Sequence, residues 1–208
     1  MSTLTTIRAA VRQDLHDEVA GSYRWTDAVL DRHIARAVQD YSLAAPLEQV
    51  TTLATTAGSR DLSLASLAGL IKVYAAEWRL GQFPPAYQRF AVWQATLTFL
   101  GEEVPDGTNC KVYWGCAHTL DESTSTIPTA HEAVIATGAA GFAALEQAIY
   151  NTDRLNVGGD ADLDFQRLGQ LWLVEFRRQL RGLGAKLRTA RLYSPYALTV
   201  SKATDYGP

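Results

Sequence analysis

The hydrophobic period of this chain changes twice, and few folds accommodate that. Leu4, Ile7, Val11 and Leu15 recur at helical spacing, as do Leu30, Ile34, Val38 and Tyr41. From Gln49 to Leu120 the helical period is lost. That stretch is rich in Thr, Val, Tyr and Trp, and Gly58-Ser59-Arg60, Phe83-Pro84-Pro85 and Pro105-Asp106-Gly107 punctuate it. Helical spacing returns after the small polar residues Asp121–Thr126. A chain of 208 residues suits one domain, or one domain with an elaborate insertion. The order of patterns predicts an α+β fold: a bundle of about four helices packed antiparallel, an inserted antiparallel β region and an extended C-terminal tail. The expected divisions are 1–47 with 123–190 for the bundle, 48–122 for the β region and 191–208 for the tail.

Local signals sharpen this outline. In Trp25-Thr26-Asp27-Ala28-Val29-Leu30, Thr26 is a good N-cap and Asp27 sits where the helix dipole favours negative charge. Trp25 and Leu30 then occupy the two positions of a hydrophobic staple, while the capping box is absent because Val29 stands at its third position. The second helix should stop near Ala45, ahead of Pro46. Candidate strands are Val50–Thr55, Asp61–Leu64, Leu70–Glu77, Arg89–Gln94, Thr96–Leu100 and Cys110–Ala117. Their close spacing predicts antiparallel meanders, a small sandwich or an open barrel, because crossover helices have no room. The third helix starts near Pro128 and runs to about Tyr150, with Val134, Ile135, Phe142, Leu145 and Ile149 on its apolar side. Gly138 and Gly141, among alanines, predict a close neighbour. A long helix follows from about Asp160 to Ala190, with Phe165, Leu168, Trp172, Phe176, Leu180, Leu183 and Leu187 at helical spacing.

Chemistry is sparse. The net charge of −3 argues against a generic nucleic-acid binder, while a local basic patch stays open. Met1-Ser2-Thr3-Leu4 leads into no apolar run, and no stretch reaches the roughly 18 uncharged apolar residues of a spanning helix. The expected setting is a reducing cytoplasm with no membrane partner. Cys110 and Cys116 would be roughly 20 Å apart on one strand, too far for a bridge. For the same reason Cys110, Cys116 and His118 cannot share one metal ion. His16, His33, His118 and His131 form no i,i+4 pair. Asp160, Asp162 and Asp164 resemble the opening of a calcium loop, but Phe165 and Leu171 stand where that loop needs Gly and Glu. The same aspartates would repel a phosphate at Gly158-Gly159. No nucleophile elbow, Walker loop or zinc-protease helix is present. Neither catalytic residue, metal nor cofactor is expected.

Arg177, Arg178, Arg181, Lys186, Arg188 and Arg191 crowd the end of the long helix, where cations suit the dipole. They read either as a solvated face or as contacts with an acidic partner or nucleic acid. The tail beyond them holds Tyr193, Pro195, Tyr196, Leu198, Val200 and Tyr206, which could dock elsewhere or pack on the chain's own β region.

With these elements in order, the chain resembles the head-to-tail adaptor (head completion) proteins of tailed bacteriophages. The likeness lies in Leu4-x-x-Ile7-x-x-x-Val11, in Trp25-Thr26-Asp27-x-x-Leu30-x-x-x-Ile34-x-x-Ala37-Val38-x-x-Tyr41, in Ile127-Pro128, in Ala136-Thr137-Gly138-Ala139-Ala140 and in the helix Phe165–Arg188. It covers the whole chain in outline; the long β insertion departs from the smallest, purely helical adaptors. The resemblance implies a non-enzymatic virion protein, made in the host cytoplasm and placed at the capsid–tail junction. It implies a ring, often twelvefold, that binds the portal protein, extends the channel for double-stranded DNA and presents a surface to the next tail component. Portal or neighbour-subunit docking then falls to Arg177, Arg178, Arg181, Lys186, Arg188, Arg191, Tyr193 and Tyr196, with Trp25, Thr26 and Leu30 as a structural staple. The alternative is a small-ligand-binding or enzymatic α+β domain with a pocket near Trp78, Trp93 and Trp114.

Overall fold

The computed structural model describes residues 3–83, 85–153 and 161–192. The fold is α+β. Contacts divide the chain into two compact units, one from Met1–Ala45 with His118–Lys186 and one built on Pro46–Ala117.

The first unit is helical. Helix α1 (Leu4–Asp14) and helix α2 (Asp27–Ala44) are followed, after the insertion, by a short 3-10 turn (Thr129–His131), α3 (Glu132–Asp153) and α4 (Ala161–Leu192). Helix α1 and the residue after it bury Ile7, Val11 and Leu15, and α2 buries Leu30, Ile34, Val38 and Tyr41, the stripes their spacing predicts. Helix α2 ends as Ala45 leaves helical geometry ahead of Pro46. Helix α3 lies at the centre. Ile135, Ala139, Ala140, Ala143 and Ala144 are all fully buried, and α1 and α2 both pack on it. Over Thr129–Tyr150 it has the length and apolarity of a membrane-crossing helix, but 61% of that window is buried inside the structure, as in a core helix.

Helix α4 comes close to α3 because three side chains are missing between them. A Cβ on Gly138 would stand 2.9 Å from the Phe176 ring, and one on Gly141 would stand 3.0 Å from Leu173. On α4, a Cβ on Gly169 would meet the Gly141 carbonyl oxygen at 3.0 Å. The rings of Phe142 and Phe176 meet edge-on, 6.3 Å apart. Two positions differ from the sequence expectation. Ile149 and Leu168 carry the apolar pattern but are 67% and 38% exposed. Both border surface grooves.

The second unit holds six strands: β1 (Leu47–Ala54), β2 (Asp61–Ser63), β3 (Leu70–Trp78), β4 (Phe90–Trp93), β5 (Thr96–Phe99) and β6 (Asn109–Cys116). They form two three-stranded antiparallel sheets, ordered β1-β6-β3 and β2-β5-β4. Of the three arrangements anticipated, the small sandwich is the one that forms: Leu62, Leu97 and Phe99 from one sheet share a core with Val73, Cys110, Val112 and Trp114 from the other. It is not a meander. Strand β6 reaches back to pair with β1, Leu47 opposite Cys116, and only β4 and β5 join through a tight turn, at Gln94-Ala95. Gly115 is required in β6, since a Cβ there would lie 2.7 Å from the Pro46 side chain. Cys110 and Cys116 sit on one strand as free thiols. Burial and nearby Glu77 push the Cys110 thiol up to about 11.

The tail Tyr193–Pro208, with its expected docking residues Tyr193 and Tyr196, lies outside the described residues.

The glycine contacts make a quantitative prediction. Alanine in place of Gly138 gains up to ~1 kcal/mol of helix propensity. It also drives a methyl group into the buried Phe176 ring, which costs about 1–3 kcal/mol. Gly138→Ala should therefore lower stability, read as a lower urea midpoint at unchanged slope; a raised midpoint would show that α4 yields easily.

Candidate functional site

The loop between α1 and α2 is fastened by a buried arginine. Arg12, 7% exposed, donates from Nη1 to Asp17 Oδ2 at 2.6 Å, and from Nη2 to the Trp25 carbonyl at 3.0 Å and Asp27 Oδ1 at 2.7 Å. Its guanidinium lies 3.8 Å over the Tyr23 ring. Asp17 in turn accepts the backbone N–H groups of Arg24, at 2.7 Å, and Trp25, at 3.3 Å. Sequence reasoning missed this network; an arginine next to Val11 of the apolar stripe was the available signal.

The loop delivers Trp25 to the bundle. Its indole N–H donates to the Ala143 carbonyl at 3.3 Å, and its ring meets Phe165 of α4 edge-on at 6.0 Å. Thr26 is the N-cap of α2, its hydroxyl accepting the Val29 N–H at 3.4 Å, and Leu30 is fully buried. Trp25 thus ties the start of α2 to both α3 and α4.

A trough of about 490 Å³ runs between α2 and α4 with α3 as its floor. Arg32, His33 and Arg36 line it from α2, Phe142, Leu145, Glu146 and Ile149 from α3, and Leu173 and Arg177 from α4. At one end both Arg32 and His33 bind Glu146. Burial outweighs that carboxylate and pushes the His33 pKa below its ordinary value. Burial pushes Glu146 up, but Arg32 and His33 together hold it below the usual carboxylate range. Arg36 stands 4.0 Å over the Phe142 ring. Chemically the trough offers guanidinium groups around an apolar floor. A second groove, about 430 Å³, opens beside the α1–α2 loop between Asp14, Val19, Arg24, Phe165 and Leu168.

Three cations of the basic run of α4 have described side chains. Arg177 lines the trough. Arg178 turns back on its own helix, giving Glu175 two hydrogen bonds at 2.7 and 2.6 Å, and with Gln179 holds the Glu175 pKa at about 2. Its charge is already matched. Arg181 is exposed. The side chains of Lys186, Arg188 and Arg191 lie outside the described residues. The cations that do gather with Arg177 come from α2, and the i,i+4 spacing of Arg32 and Arg36 was legible as one helix face.

The other candidates disperse. Among the described residues no group of three His, Cys, Asp or Glu is placed to hold a metal ion. The ring nitrogens of His118 each face a backbone carbonyl at 3.0 Å, that of Ala45 at the end of α2 and that of Thr126. Trp78 and Trp114 are core residues that donate to Thr108 and Thr51, whereas Trp93 is 77% exposed. The three indoles therefore line no common pocket.

No family model and no curated protein matches the chain. Among solved structures, a chain from the virion of a native gene transfer agent (GTA) particle is similar at 15% identity, over 83% of this chain and 92% of that one, with a TM-score of 0.28.

The pair beneath the trough sets a pH dependence. Both His33 and Glu146 have folded pKa values below their unfolded ones, so the unfolded chain binds their protons more readily. Their contribution is present above the unfolded values and lost on acidification, His33 first, below about pH 6.5. Stability measured against pH should fall less steeply between about pH 6.5 and 5 in His33→Gln than in the wild type. Parallel curves would clear this ring of the effect.

Proposed function

We propose that this chain is a structural virion protein, a head-to-tail adaptor that sits as a ring below the portal, extends the DNA channel and offers the tail its attachment surface. One observation carries the reading: a helical unit is interrupted by an antiparallel β unit, in the order and at the positions of the motif series that resembles these adaptors. Two features support it. Most of the apolar surface of helix α3 is buried inside the subunit, which leaves the outer faces of α2 and α4 for neighbours. The mild net charge of −3 also suits a conduit, since strong phosphate attraction would hold the duplex that must pass.

On this reading the protein catalyses nothing and needs no cofactor. Its partners are the portal, further copies of itself in a ring of twelve on the family pattern, and the next tail component. The basic end of α4 and residues 192–208 dock on the portal or on a neighbouring subunit.

Electron microscopy of the protein mixed with cognate portal rings is the direct test. A second ring stacked on the portal is expected, and bare portals at saturating protein would remove the reading. Deleting residues 192–208 should weaken portal binding at least tenfold; undiminished binding would assign docking to another surface.

A further inference from the structure

We infer that the trough between α2 and α4 receives the Glu18–Val19 loop of a second copy of this chain, and that this head-to-tail contact is the one repeated around the ring. The inference rests on the ring reading above and names the surface it uses.

Some charges of the helical unit are left over. Within the helical unit about half of the described ionic groups are matched internally. Arg8 binds Asp31 at 2.8 Å and Glu122 at 2.9 Å, Arg12 binds Asp17 and Asp27, Arg32 binds Glu146, and Arg178 binds Glu175. Among the described residues, Arg36 and Arg177 of the trough have no carboxylate within ion-pair distance, and Asp14 and Glu18 beside the α1–α2 loop have no Lys or Arg within it, the charge nearest Asp14 being that of His16. Each pair borders apolar surface. The trough has Phe142 and Leu173 in its lining and Ile149 at its rim. The loop carries Val19 outward, 70% exposed. A projecting apolar side chain flanked by acids faces a cavity flanked by guanidiniums, and that complementarity fixes register as well as attraction. Arg24 also borders the loop, but its guanidinium is turned over the Phe165 ring at 4.9 Å.

Geometry favours the loop over a symmetric pairing. Two troughs face to face would set arginines against arginines. The loop and the trough share no residue, so a copy that donates its loop still has an empty trough. Such a heterologous contact repeats until rotation closes it. The loop is also pre-shaped: the Arg12–Asp17 pair ties it down and Gly21 turns it at φ +87°. Little ordering entropy remains to oppose binding.

Cysteine trapping tests this with the full chain. Val19→Cys and Ile149→Cys are made in separate proteins, both with Cys116→Ser, then mixed and oxidised. The control pairs Val19→Cys with Ser66→Cys, an exposed position of the β unit. The disulfide-linked pair should form at roughly ten times the control yield, Glu18→Arg should abolish the excess, and Arg36→Glu with Arg177→Glu in the other partner should restore it. A yield no higher than the control, or one indifferent to charge reversal, overturns the proposal. Portal binding is scored in parallel. Rings on portals without the Val19–Ile149 link would discard this contact and keep the adaptor reading, whereas the link without portal binding would keep the contact and discard the adaptor reading.

Discussion

Helices α3 and α4 meet where neither has a side chain to keep them apart. Gly138 and Gly141 face Phe176 and Leu173, and Gly169 brings its own backbone to within reach of the Gly141 carbonyl. Each glycine costs up to about 1 kcal/mol of helix propensity relative to alanine. The exchange is favourable because burying a Phe or Leu side chain stabilises by roughly 1.5–3 kcal/mol, and Phe176 and Leu173 both reach the core through these gaps. With α4 seated on one flank of α3 and α2 on the other, the surface between them is a trough whose floor is α3 itself. Its position therefore follows from three missing side chains elsewhere in the bundle.

Ion pairs play a different part. Arg12 and Asp17 are both buried, and a buried pair yields little net stability because desolvation offsets attraction. What this pair does is geometric. It collects the Trp25 carbonyl and the Arg24 and Trp25 amides, which sets where Trp25 lies before α2 begins. Trp25 then joins the first turn of α2 to α3 and α4. Glu146 acts similarly between α2 and α3 through Arg32 and His33. Charge in this unit thus fastens connections between helices.

Much of this was legible locally. Thr26 and Pro46 bracket α2 because capping and the restriction before proline are properties of neighbouring residues. The alternation from Cys110 to Trp114 survives as a strand buried on one face. The glycines among alanines in α3 pointed to a close neighbour, and α4 is that neighbour. Other features were out of reach. Strand β6 pairs with β1, whose residues precede it by more than fifty positions, and periodicity holds no information about which strands pair. Ile149 and Leu168 carry apolar spacing but face grooves, since spacing cannot say what covers a side chain. Spacing in α4 also holds no record that Arg178 pairs with Glu175 while Arg177 joins arginines from another helix.

The sequence by itself determined the α+β class, the insertion of a β unit into a helical one, the limits of α2 and the absence of any recognisable catalytic motif. Those depend on period, capping and composition, which act over a few residues. Tertiary structure alone decided the sheet order, the burial of Arg12, the role of Trp25 beyond its own helix and the meeting of Arg36 with Arg177. Each of these joins residues far apart in the chain, and only the close approach of whole helices and sheets brings such groups within a few ångströms of one another.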